Sequence, residues 1–372
     1  IPMATKRPIG VIFDSASLVR SGRSGDNWCI TWADDDHQYT AQDDGCGWGG
    51  TTYWNNRVWR IRGDPAAPGL ASSFEPEFLA GYPNYPLPPG TTGGWYGYGI
   101  VSVDGTLYHL VTRCTDDRWS LPFVGAKLIT STDHGASWLL HDGRPAQDVC
   151  LDQAPGAMFF LHEEETWAFS QVSFVQCGKD NGDAKDDYVY LYSPNGKQPH
   201  ELDLARVPRD RIRDRCAYEF FVSHTRGGEA VWYANIAYRG TVHTFPEGWG
   251  LYSWQPSVVY NRPLDLYIMA TGGTQRPGTG KPDDAYMHYE TGSLGFYWAE
   301  NPWGPWTCFY YNEEWIADSY ENRLYQPKLS PKWIGDDGRD MTLIFSDAQK
   351  DPRGRSHTVN YRWNQMRIRL VF

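Results

Sequence analysis

The sequence lacks any long apolar run. No stretch approaches the roughly 20 consecutive apolar residues that a membrane-spanning helix requires, so no membrane partner is expected. Basic residues are also in the minority, with 34 Lys and Arg against 45 Asp and Glu and a net charge of -11. Proteins that bind nucleic acid over a broad surface present a net basic face. We therefore expect no nucleic-acid partner.

Signals for common cofactor and modification sites are missing as well. The seven cysteines show no C-x-x-C spacing, which argues against a zinc ribbon, although one or two disulfides are possible. No N-x-[ST] sequon occurs. The chain begins at Ile1 rather than Met, and we interpret this as the trimmed N-terminus of a secreted protein. No cofactor is expected to be required.

Long helical periodicity is absent, and short strands occur in pairs instead. Aromatic residues make up 15% of the chain, with 38 Gly and 25 Pro, a composition typical of many strands joined by tight turns. Six strand pairs can be marked, which predicts one all-β propeller over residues 1–372. The pairs are NWCITWA with HQYTAQ, YGIVSVD with TLYHLVTR, SQVSFVQC with DDYVYLYS, AYEFFVS with AVWYAN, PSVVYN with LDLYIMATG, and LYQPKLS with MTLIFSDA.

The segment STDHGASW, residues 131–138, is the sharpest marker of a blade. It predicts a hairpin turn in which Asp133 bonds to the turn backbone, Gly135 adopts positive φ and Trp138 packs beneath. The segment is similar to the Asp-box of sialidase-like propellers. We also expect the C-terminal strand to pair with the N-terminal strand and close the ring.

An arginine-rich segment, residues 205–221, stands out in an acidic chain. Its middle arginines alternate with two aspartates and one isoleucine and are typical of a solvated connector between blades. Arg206 and Arg215 each adjoin a strand and could point at one anionic group. A guanidinium matches a carboxylate with two parallel hydrogen bonds and stays charged at any accessible pH.

Several stretches together resemble a known family. GKDNGDAKDDYVYLYSPNG, LARVPRDRIRDRCAYEFF, PSVVYN and ENPWGPWTCFYY are similar to secreted β-propeller polysaccharide lyases that act at uronic acids, such as ulvan lyases and rhamnosyl-α-1,4-glucuronate lyases. The resemblance extends from about Asp26 to the C-terminus. It implies a seven-bladed enzyme whose partner is a uronic-acid-containing polysaccharide. We expect the protein to be a monomer. The implied reaction is β-elimination next to glucuronic acid, with release of a terminal sugar such as L-rhamnose.

Elimination at a uronate needs a group that neutralises the carboxylate, a base for the C5 proton and an acid for the leaving oxygen. The resemblance implies Arg206 for the first role and Tyr190 and a histidine for the others. Arg215 could add positive charge, and His109 is the best histidine candidate because it lies between apolar residues in mid-strand. A tyrosine base needs nearby positive charge to stabilise its phenolate.

Other residues are candidates for binding sugar rings or hydroxyls, although structural packing explains each aromatic equally well. They are Asn27, Trp28, Arg113, Tyr218 and Tyr260. The oxygen-rich stretch Lys179 to Asp187 could hold a structural calcium ion, but it lacks the full EF-hand pattern and is more typical of a solvated turn.

Two further functions remain open. A glycoside hydrolase would need a pair of inward carboxylates about 5–9 Å apart, for which Asp26, Glu219 and Asp187 are candidates. A propeller that binds sugar without catalysis would explain the aromatic excess equally well.

Overall fold

The computed structural model describes most of the chain. The described residues are 7–65, 72–84, 94–114, 123–146, 159–161, 169, 171–194, 200–246, 255–272, 292–318, 324–347 and 360–372. In these ranges every regular element is a β-strand or a short 3₁₀ turn, so no helix there is long and apolar enough to cross a membrane. Among the described residues, five cysteines are free thiols: Cys29, Cys46, Cys177, Cys216 and Cys308.

The strands form five antiparallel sheets, each of which is one blade. Blade 1 contains β2 (Ile30–Trp32), β3 (Gln38–Gly45), β4 (Trp54–Arg62) and β5 (Glu75–Phe78). Blade 2 contains β6 (Trp95–Val103), β7 (Thr106–Cys114), β8 (Phe123–Ser131), β9 (Leu139–Leu140) and β10 (Phe160–Leu161). Blade 3 contains β11 (Ser173–Phe174), β12 (Tyr188–Pro194), β13 (Glu201–Pro208), β14 (Glu219–His224), β15 (Ala230–Tyr233) and β16 (His243–Thr244). Blade 4 contains β17 (Ser257–Asn261), β18 (Leu266–Gly272), β19 (Leu294–Ala299) and β20 (Thr307–Asn312).

Blade 5 joins the two ends of the chain. It contains β21 (Leu324–Leu329), β22 (Asp340–Asp347) and β23 (Trp363–Val371), and its outermost strand is β1 (Gly10–Ser21). β1 pairs with β23 from Gly10 opposite Val371 to Ser21 opposite Trp363, across one irregularity. The predicted closure of the ring by the N- and C-terminal strands is confirmed.

The innermost strands β2, β6, β11, β17 and β21 surround a central axis and are linked from blade to blade by hydrogen bonds. Side chains supply many of these links, because an innermost strand has no further ladder partner on its axial side. The bonds, from donor to acceptor, are Ser102 N to Thr31 Oγ1 (2.9 Å), Gln176 Nε2 to Ile100 O (2.8 Å), Gln176 N to Val258 O (2.9 Å), Leu329 N to Ser257 Oγ (2.9 Å) and Ser330 Oγ to Gln38 Oε1 (2.7 Å).

The described residues form five blades, so the expectation of seven is wrong. Five of the six predicted strand pairs are the innermost hairpins of the five blades. The sixth pair, AYEFFVS with AVWYAN, is the outer hairpin β14–β15 of blade 3. Blade 3 is larger than its neighbours, and its outer hairpin has the same alternation of apolar residues as an inner one.

The Asp-box turn has the predicted geometry. Asp133 accepts hydrogen bonds from the backbone amide of Ser137 at 2.8 Å and from the Ser131 hydroxyl at 2.8 Å. Gly135 has a φ of 84°, which favours glycine. Trp138 is buried and donates from Nε1 to the carbonyl oxygen of Gly135.

The segment Lys179 to Asp187 forms a turn whose carboxylates bind protein groups. Asp180 accepts from the Ser102 hydroxyl and the Gly105 amide, and Asp186 accepts from the Tyr188 amide. Among the described residues, the group of potential metal ligands whose atoms lie within 4.8 Å of one another is elsewhere, at Asp34, Asp35 and His134. A calcium ion in this segment stays a prediction.

Ring closure depends on a tryptophan cluster between blades 1 and 5, and this dependence can be tested. Trp363 is fully buried, and its ring centroid lies 5.4 Å from that of Trp28 and 5.5 Å from that of Trp48. We expect Trp363→Ala to lower the free energy of unfolding by about 3–5 kcal/mol, since the site cannot collapse around so large a void. Denaturant unfolding measures this loss.

The matched control is Tyr238→Ala, which removes a side chain that is 62% exposed. Its effect should stay within about 0.5 kcal/mol, as is usual for surface substitutions. Equal losses in the two variants would contradict a closure that depends on Trp363.

Candidate active site

One end of the propeller carries a cluster of acidic residues from blade 1. Asp26 lies just before β2, and Asp43 and Asp44 lie near the end of the antiparallel neighbour β3. Asp26 and Asp43 exchange two backbone hydrogen bonds of 3.0 Å each. Such a pair places its Cα atoms about 5.5 Å apart with both side chains on the same face of the sheet. All three carboxylates are buried. We call this group the carboxylate cluster.

Asp43 is held by three donors from two blades. Its Oδ2 accepts from Asn27 Nδ2 at 2.9 Å, and its Oδ1 accepts from Asn56 Nδ2 at 3.0 Å and from the Gly97 amide at 2.8 Å. The Gly97 amide points out of β6 because the β6–β7 register shifts between Gly97 and Ile100. Asn27 has a φ of 54°, which asparagine tolerates better than most residues. The bulge in blade 2 therefore completes the Asp43 site of blade 1.

Asp26 and Asp44 have different partners. Asp26 accepts a hydrogen bond of 2.5 Å from the hydroxyl of Tyr361, which lies just before β23 of blade 5. Asp44 accepts from the Tyr53 hydroxyl at 2.9 Å and from Asn55 Nδ2 at 3.3 Å. Asp26 is thus fixed by the neighbouring blade, and Asp44 by the residues that begin β4.

Burial holds protons on this cluster. It raises the pKa of Asp44 to about 7. Burial also raises the pKa of Asp26 well above its usual value, and the negative charges of Asp44 and Asp43 raise it further, against the Tyr361 hydrogen bond and the charge of Lys328. Burial raises the pKa of Asp43 despite its three donors. Burial and mutual repulsion therefore favour protonated carboxyl groups in this cluster.

A pocket of about 330 Å³ opens beside the cluster. Its wall includes Tyr53 and Asn55, which bind Asp44, and Asn56, which binds Asp43. The other lining residues are Thr52, Trp54, Asn84 and Trp95. Aromatic rings together with amide groups suit a sugar ring, because the rings stack on its apolar face and the amides bind its hydroxyls.

A second, smaller cavity of about 20 Å³ lies on the propeller axis. It is lined by residues of all five blades, among them Cys29, Gly99, Ser173, Ser257 and Lys328. The ammonium of Lys328 is buried there and donates to the carbonyl oxygen of Gln255 at 3.4 Å. This volume is enough for one water-sized molecule.

Besides Asp26, two residues predicted from the sequence lie at or next to the cluster, and a third adjoins the pocket. Asn27 binds Asp43 directly. His109 is buried behind Asn56: its Nδ1 lies 3.1 Å from the Gly99 carbonyl oxygen, and a Cβ on Gly97 would meet both Asn56 Nδ2 and His109 Nε2. Burial lowers the pKa of His109 to about 4, so the ring is neutral at neutral pH. Arg113 is buried and pairs in the ladder with the pocket residue Trp95.

Tyr190 and Arg206 meet each other but not the cluster. They are direct partners in the β12–β13 ladder. Arg206 is bound by Glu219, with Nε–Oε2 and Nη2–Oε2 distances of 2.8 and 2.7 Å, and Tyr190 donates to Asp186 at 2.6 Å. Burial raises the pKa of Tyr190, and the Asp186 hydrogen bond raises it further, which opposes a phenolate.

The predicted pairing of Arg206 and Arg215 around one carboxylate is not formed. The Arg206 guanidinium lies 4.4 Å from the Trp232 ring centroid, on the side of blade 3 that packs on blade 4. The Arg215 guanidinium lies 4.6 Å from the Phe160 centroid, on the side that faces blade 2. The body of blade 3 separates the two groups. The same layer separates Arg206 from His109, which belongs to blade 2.

The three predicted sugar-binding aromatics have structural partners. Trp28 is buried among tryptophans and donates from Nε1 to Ser346 Oγ at 2.8 Å. Tyr218 is buried and donates to the Ile212 carbonyl. Tyr260 donates to Asp265 next to the β17–β18 turn, at the end of the blade opposite Asp26. The packing alternative therefore accounts for the contacts of all three.

Of the three acids considered for a hydrolase, only Asp26 is part of the carboxylate cluster. Glu219 pairs with Arg206, and Asp187 lies in an exposed turn. Sequence reasoning missed Asp43 and Asp44, together with Tyr53 and Asn56. The signal that could have found them is the polar run QDDG at the end of a strand whose other residues alternate, because that strand end meets the start of β2.

Comparison with known structures agrees with the fold. A candidate hydrolase from Bacteroides ovatus superposes with a TM-score of 0.53 at 13% sequence identity, covering 94% of this chain and 87% of that chain. A xylan β-1,4-xylosidase from Bacillus halodurans and an arabinanase from Bacillus subtilis give TM-scores of 0.49 and 0.48 at 11% and 10% identity. Each match covers 95% of this chain, with 54% of the xylosidase chain and 96% of the arabinanase chain. At such low identity the likeness to the Bacteroides ovatus structure shows a shared fold and nothing finer.

Sequence comparisons give no family. No protein-family model matches the chain, and no curated protein matches it either. The function must therefore be argued from the site.

The bulge at Gly97 gives a test of how the cluster is held. A Cβ at this position would lie 1.8 Å from Asn56 Nδ2 and 2.7 Å from His109 Nε2. We expect Gly97→Ala to displace Asn56 from Asp43 and to cost about 1–3 kcal/mol of unfolding free energy, as overpacking does. The control is Gly227→Ala, whose Cβ would meet nothing closer than Thr225 Oγ1 at 3.7 Å. If chemical denaturation shows no difference between the variants, the Gly97 approach is not as tight as described.

The raised pKa of Asp44 makes the stability of the folded protein depend on pH. Its pKa is about 7 in the folded protein against an ordinary value of 3.8, so unfolding releases a proton between about pH 4 and 7. The stability contributed by this proton is present below pH 4 and is lost as the pH rises through about 7, by up to about a thousandfold in the folding equilibrium constant.

Asp44→Asn keeps an oxygen acceptor for Tyr53 and Asn55 but cannot titrate. We therefore expect its stability to fall less steeply over this range than that of the wild type. Asp210→Asn, at an exposed position, is the control and should follow the wild type. Parallel curves for wild type and Asp44→Asn would show that Asp44 is ionised in the folded protein throughout.

Proposed function

We propose that this protein is a glycoside hydrolase that cleaves a polysaccharide in the pocket beside the carboxylate cluster. The observation that carries this proposal is the contact of Asp43 and Asp44 with the lining residues Tyr53, Asn55 and Asn56. Hydrolysis of a glycosidic bond uses two carboxyl groups, one protonated and one ionised. Burial and mutual repulsion within the cluster favour this mixed state.

Asp44 is suited to be the general acid. It lies directly behind Tyr53 and Asn55 in the pocket wall, and its pKa of about 7 leaves much of it protonated at neutral pH. A carboxyl group in this state can protonate the oxygen of the departing sugar as the glycosidic bond breaks.

Asp26 is suited to be the base or nucleophile. Burial still raises the pKa of Asp26. Once Asp44 holds the proton, however, one source of repulsion at Asp26 is removed, and the Tyr361 hydroxyl and the charge of Lys328 both favour the ionised form. Asp43 has a positioning role, because its three donors fix its carboxylate between Asn27, Asn56 and Gly97. When Asp43 is ionised, its negative charge would stabilise a positively charged sugar intermediate.

The substrate class proposed is a polysaccharide with a sugar ring that stacks in the pocket of Trp54 and Trp95. Uronic-acid specificity rests on the sequence resemblance alone. Elimination is less well supported than hydrolysis, because Arg206 is already neutralised by Glu219 and lies in a different blade from the pocket. A secreted protein would meet such a substrate outside the cell.

Product analysis tests the proposal. The protein is incubated with rhamnosyl-glucuronate-bearing arabinogalactan, ulvan, xylan and arabinan. We expect new reducing ends from at least one polymer without the ultraviolet absorbance of an unsaturated uronate. Appearance of that chromophore would establish elimination instead, and retention of polymer without any product would establish a sugar-binding propeller.

Substitutions then identify the site. Asp44→Asn and Asp26→Asn should each reduce turnover by about 10²–10⁴, the usual contribution of general acid–base catalysis, with melting temperatures measured to confirm folding. Arg206→Ala should keep near-normal turnover in any variant preparation that remains folded. Loss of turnover in Arg206→Ala together with full activity in Asp44→Asn would move the active site to blade 3.

A further inference from the structure

Lys328 is a charged side chain buried in the interior of the propeller. It belongs to β21, the innermost strand of blade 5, and only 3% of its surface is exposed. Burying an ammonium group costs several kcal/mol unless opposite charge or hydrogen bonds compensate. The buried ammonium of Lys328 therefore needs an opposite charge or hydrogen bonds that compensate for its burial.

The hydrogen bonds of Lys328 do not provide this compensation by themselves. Its Nζ donates to the Gln255 carbonyl oxygen at 3.4 Å, a long contact to a neutral group. The other groups of the axial cavity that it faces include the thiol of Cys29 and the hydroxyl of Ser257. These are neutral as well, and burial raises the pKa of the Cys29 thiol to about 11.

A short series of contacts leads from Lys328 to the carboxylate cluster. Gln255 is its hydrogen-bond acceptor, and the Gln255 side-chain oxygen lies 3.9 Å from the sulfur of Cys29. That sulfur lies 3.4 Å from Asn27 Oδ1, and Asn27 donates to Asp43 at 2.9 Å. Asp26 is the residue before Asn27. Lys328 lines the axial cavity together with Cys29, and these contacts connect it to the residues that hold the carboxylate cluster.

We propose that Lys328 is the internal counter-cation of the carboxylate cluster and acts as a positioning residue that keeps one carboxylate ionised. The titratable groups around it are Asp26, Asp43 and Asp44 of the cluster, the hydroxyl of Tyr361 on Asp26, and the thiol of Cys29. Burial lowers the pKa of Lys328, and the Cys29 thiol and the negative charges of Asp26 and Asp43 raise it back toward the cationic form. All of these groups are buried, and an attraction between charges in the protein interior is screened less by salt than one at the surface.

Whether replacement of Lys328 stabilises or destabilises the folded protein depends on pH. When the carboxylates are protonated, the buried ammonium has no partner, and a methionine in its place should be neutral or stabilising. When they ionise, removal of the ammonium leaves negative charge uncompensated. Without Lys328 the carboxylates hold their protons to higher pH in the folded protein, so the loss of stability with rising pH continues further than in the wild type.

The first experiment compares wild type, Lys328→Met and Lys332→Met by denaturant unfolding between pH 4 and pH 9. Lys332 is four residues away, is largely buried and pairs with the exposed Asp36, which makes it a matched control. We expect Lys328→Met to match or exceed the wild type at the acidic end. At the alkaline end we expect the folding equilibrium constant of Lys328→Met to fall more steeply with pH than that of the wild type. The additional fall is up to about tenfold per pH unit wherever unfolding of the variant releases one more proton than unfolding of the wild type. Parallel curves for wild type and Lys328→Met would overturn the proposal.

The second experiment is chemical rescue. Lys328→Ala enlarges the axial cavity, and methylammonium can supply the missing charge there. We expect methylammonium chloride to raise the melting temperature of Lys328→Ala at alkaline pH more than sodium chloride at the same ionic strength, and to have no such selectivity for Lys328→Met. Equal effects of the two salts on Lys328→Ala would count against a counter-cation at this position.

The catalytic consequence rests on the proposed function, whereas the stability measurements do not. If the protein hydrolyses a polysaccharide, the acidic limb of the pH–rate profile of Lys328→Met should move to higher pH while Lys332→Met keeps the wild-type profile. A changed stability curve in a protein that hydrolyses no polymer would refute the hydrolase and leave the counter-cation in place. An unchanged stability curve in a protein that hydrolyses a polymer would refute the counter-cation and leave the hydrolase in place.

Discussion

The pairing of the first strand with the last is the constraint on which the candidate site depends. β1 and β23 are distant in sequence, and their ladder makes blade 5 from both ends of the chain. The same closure brings residues just before β23 against the start of blade 1. The Gly25 amide donates to the Tyr361 carbonyl, and the Tyr361 hydroxyl binds Asp26. A ring left open here would lose both its tryptophan cluster and the hydrogen bond that fixes Asp26.

The sequence predicted the class of fold because its evidence is local. Turns such as the Asp-box are specified by a few neighbouring residues, and strand pairs are specified by alternation on either side of a turn. The radial position of a strand is not local. The outer hairpin of blade 3 packs Phe221 and Trp232 much as an inner hairpin packs its own residues, so the pattern that revealed five blades also suggested a sixth pair.

The site was only partly predictable for a related reason. Asp26 and Asn27 could be placed at a strand start, and the opposite strand end with Asp43 and Asp44 was equally visible, but only the ladder register shows that these residues meet. Arg206 attracted attention because unpaired positive charge is conspicuous in an acidic chain. Its partner Glu219 is opposite it in a ladder across a connector, and that pairing cannot be seen without the register.

The carboxylate cluster illustrates what a propeller offers to chemistry. Blade 1 supplies all three carboxylates, but blade 2 supplies the Gly97 amide and blade 5 supplies Tyr361 and Lys328. A single sheet could not surround three buried acids with so many donors, because its own amides are committed to its ladder. Packing one blade between two others brings in amides from a bulge, a hydroxyl from a strand start and an ammonium from the axis. The buried carboxylates are thereby concentrated on one blade. Some of the donors and the cation that stabilise their negative charge come from the neighbouring blades.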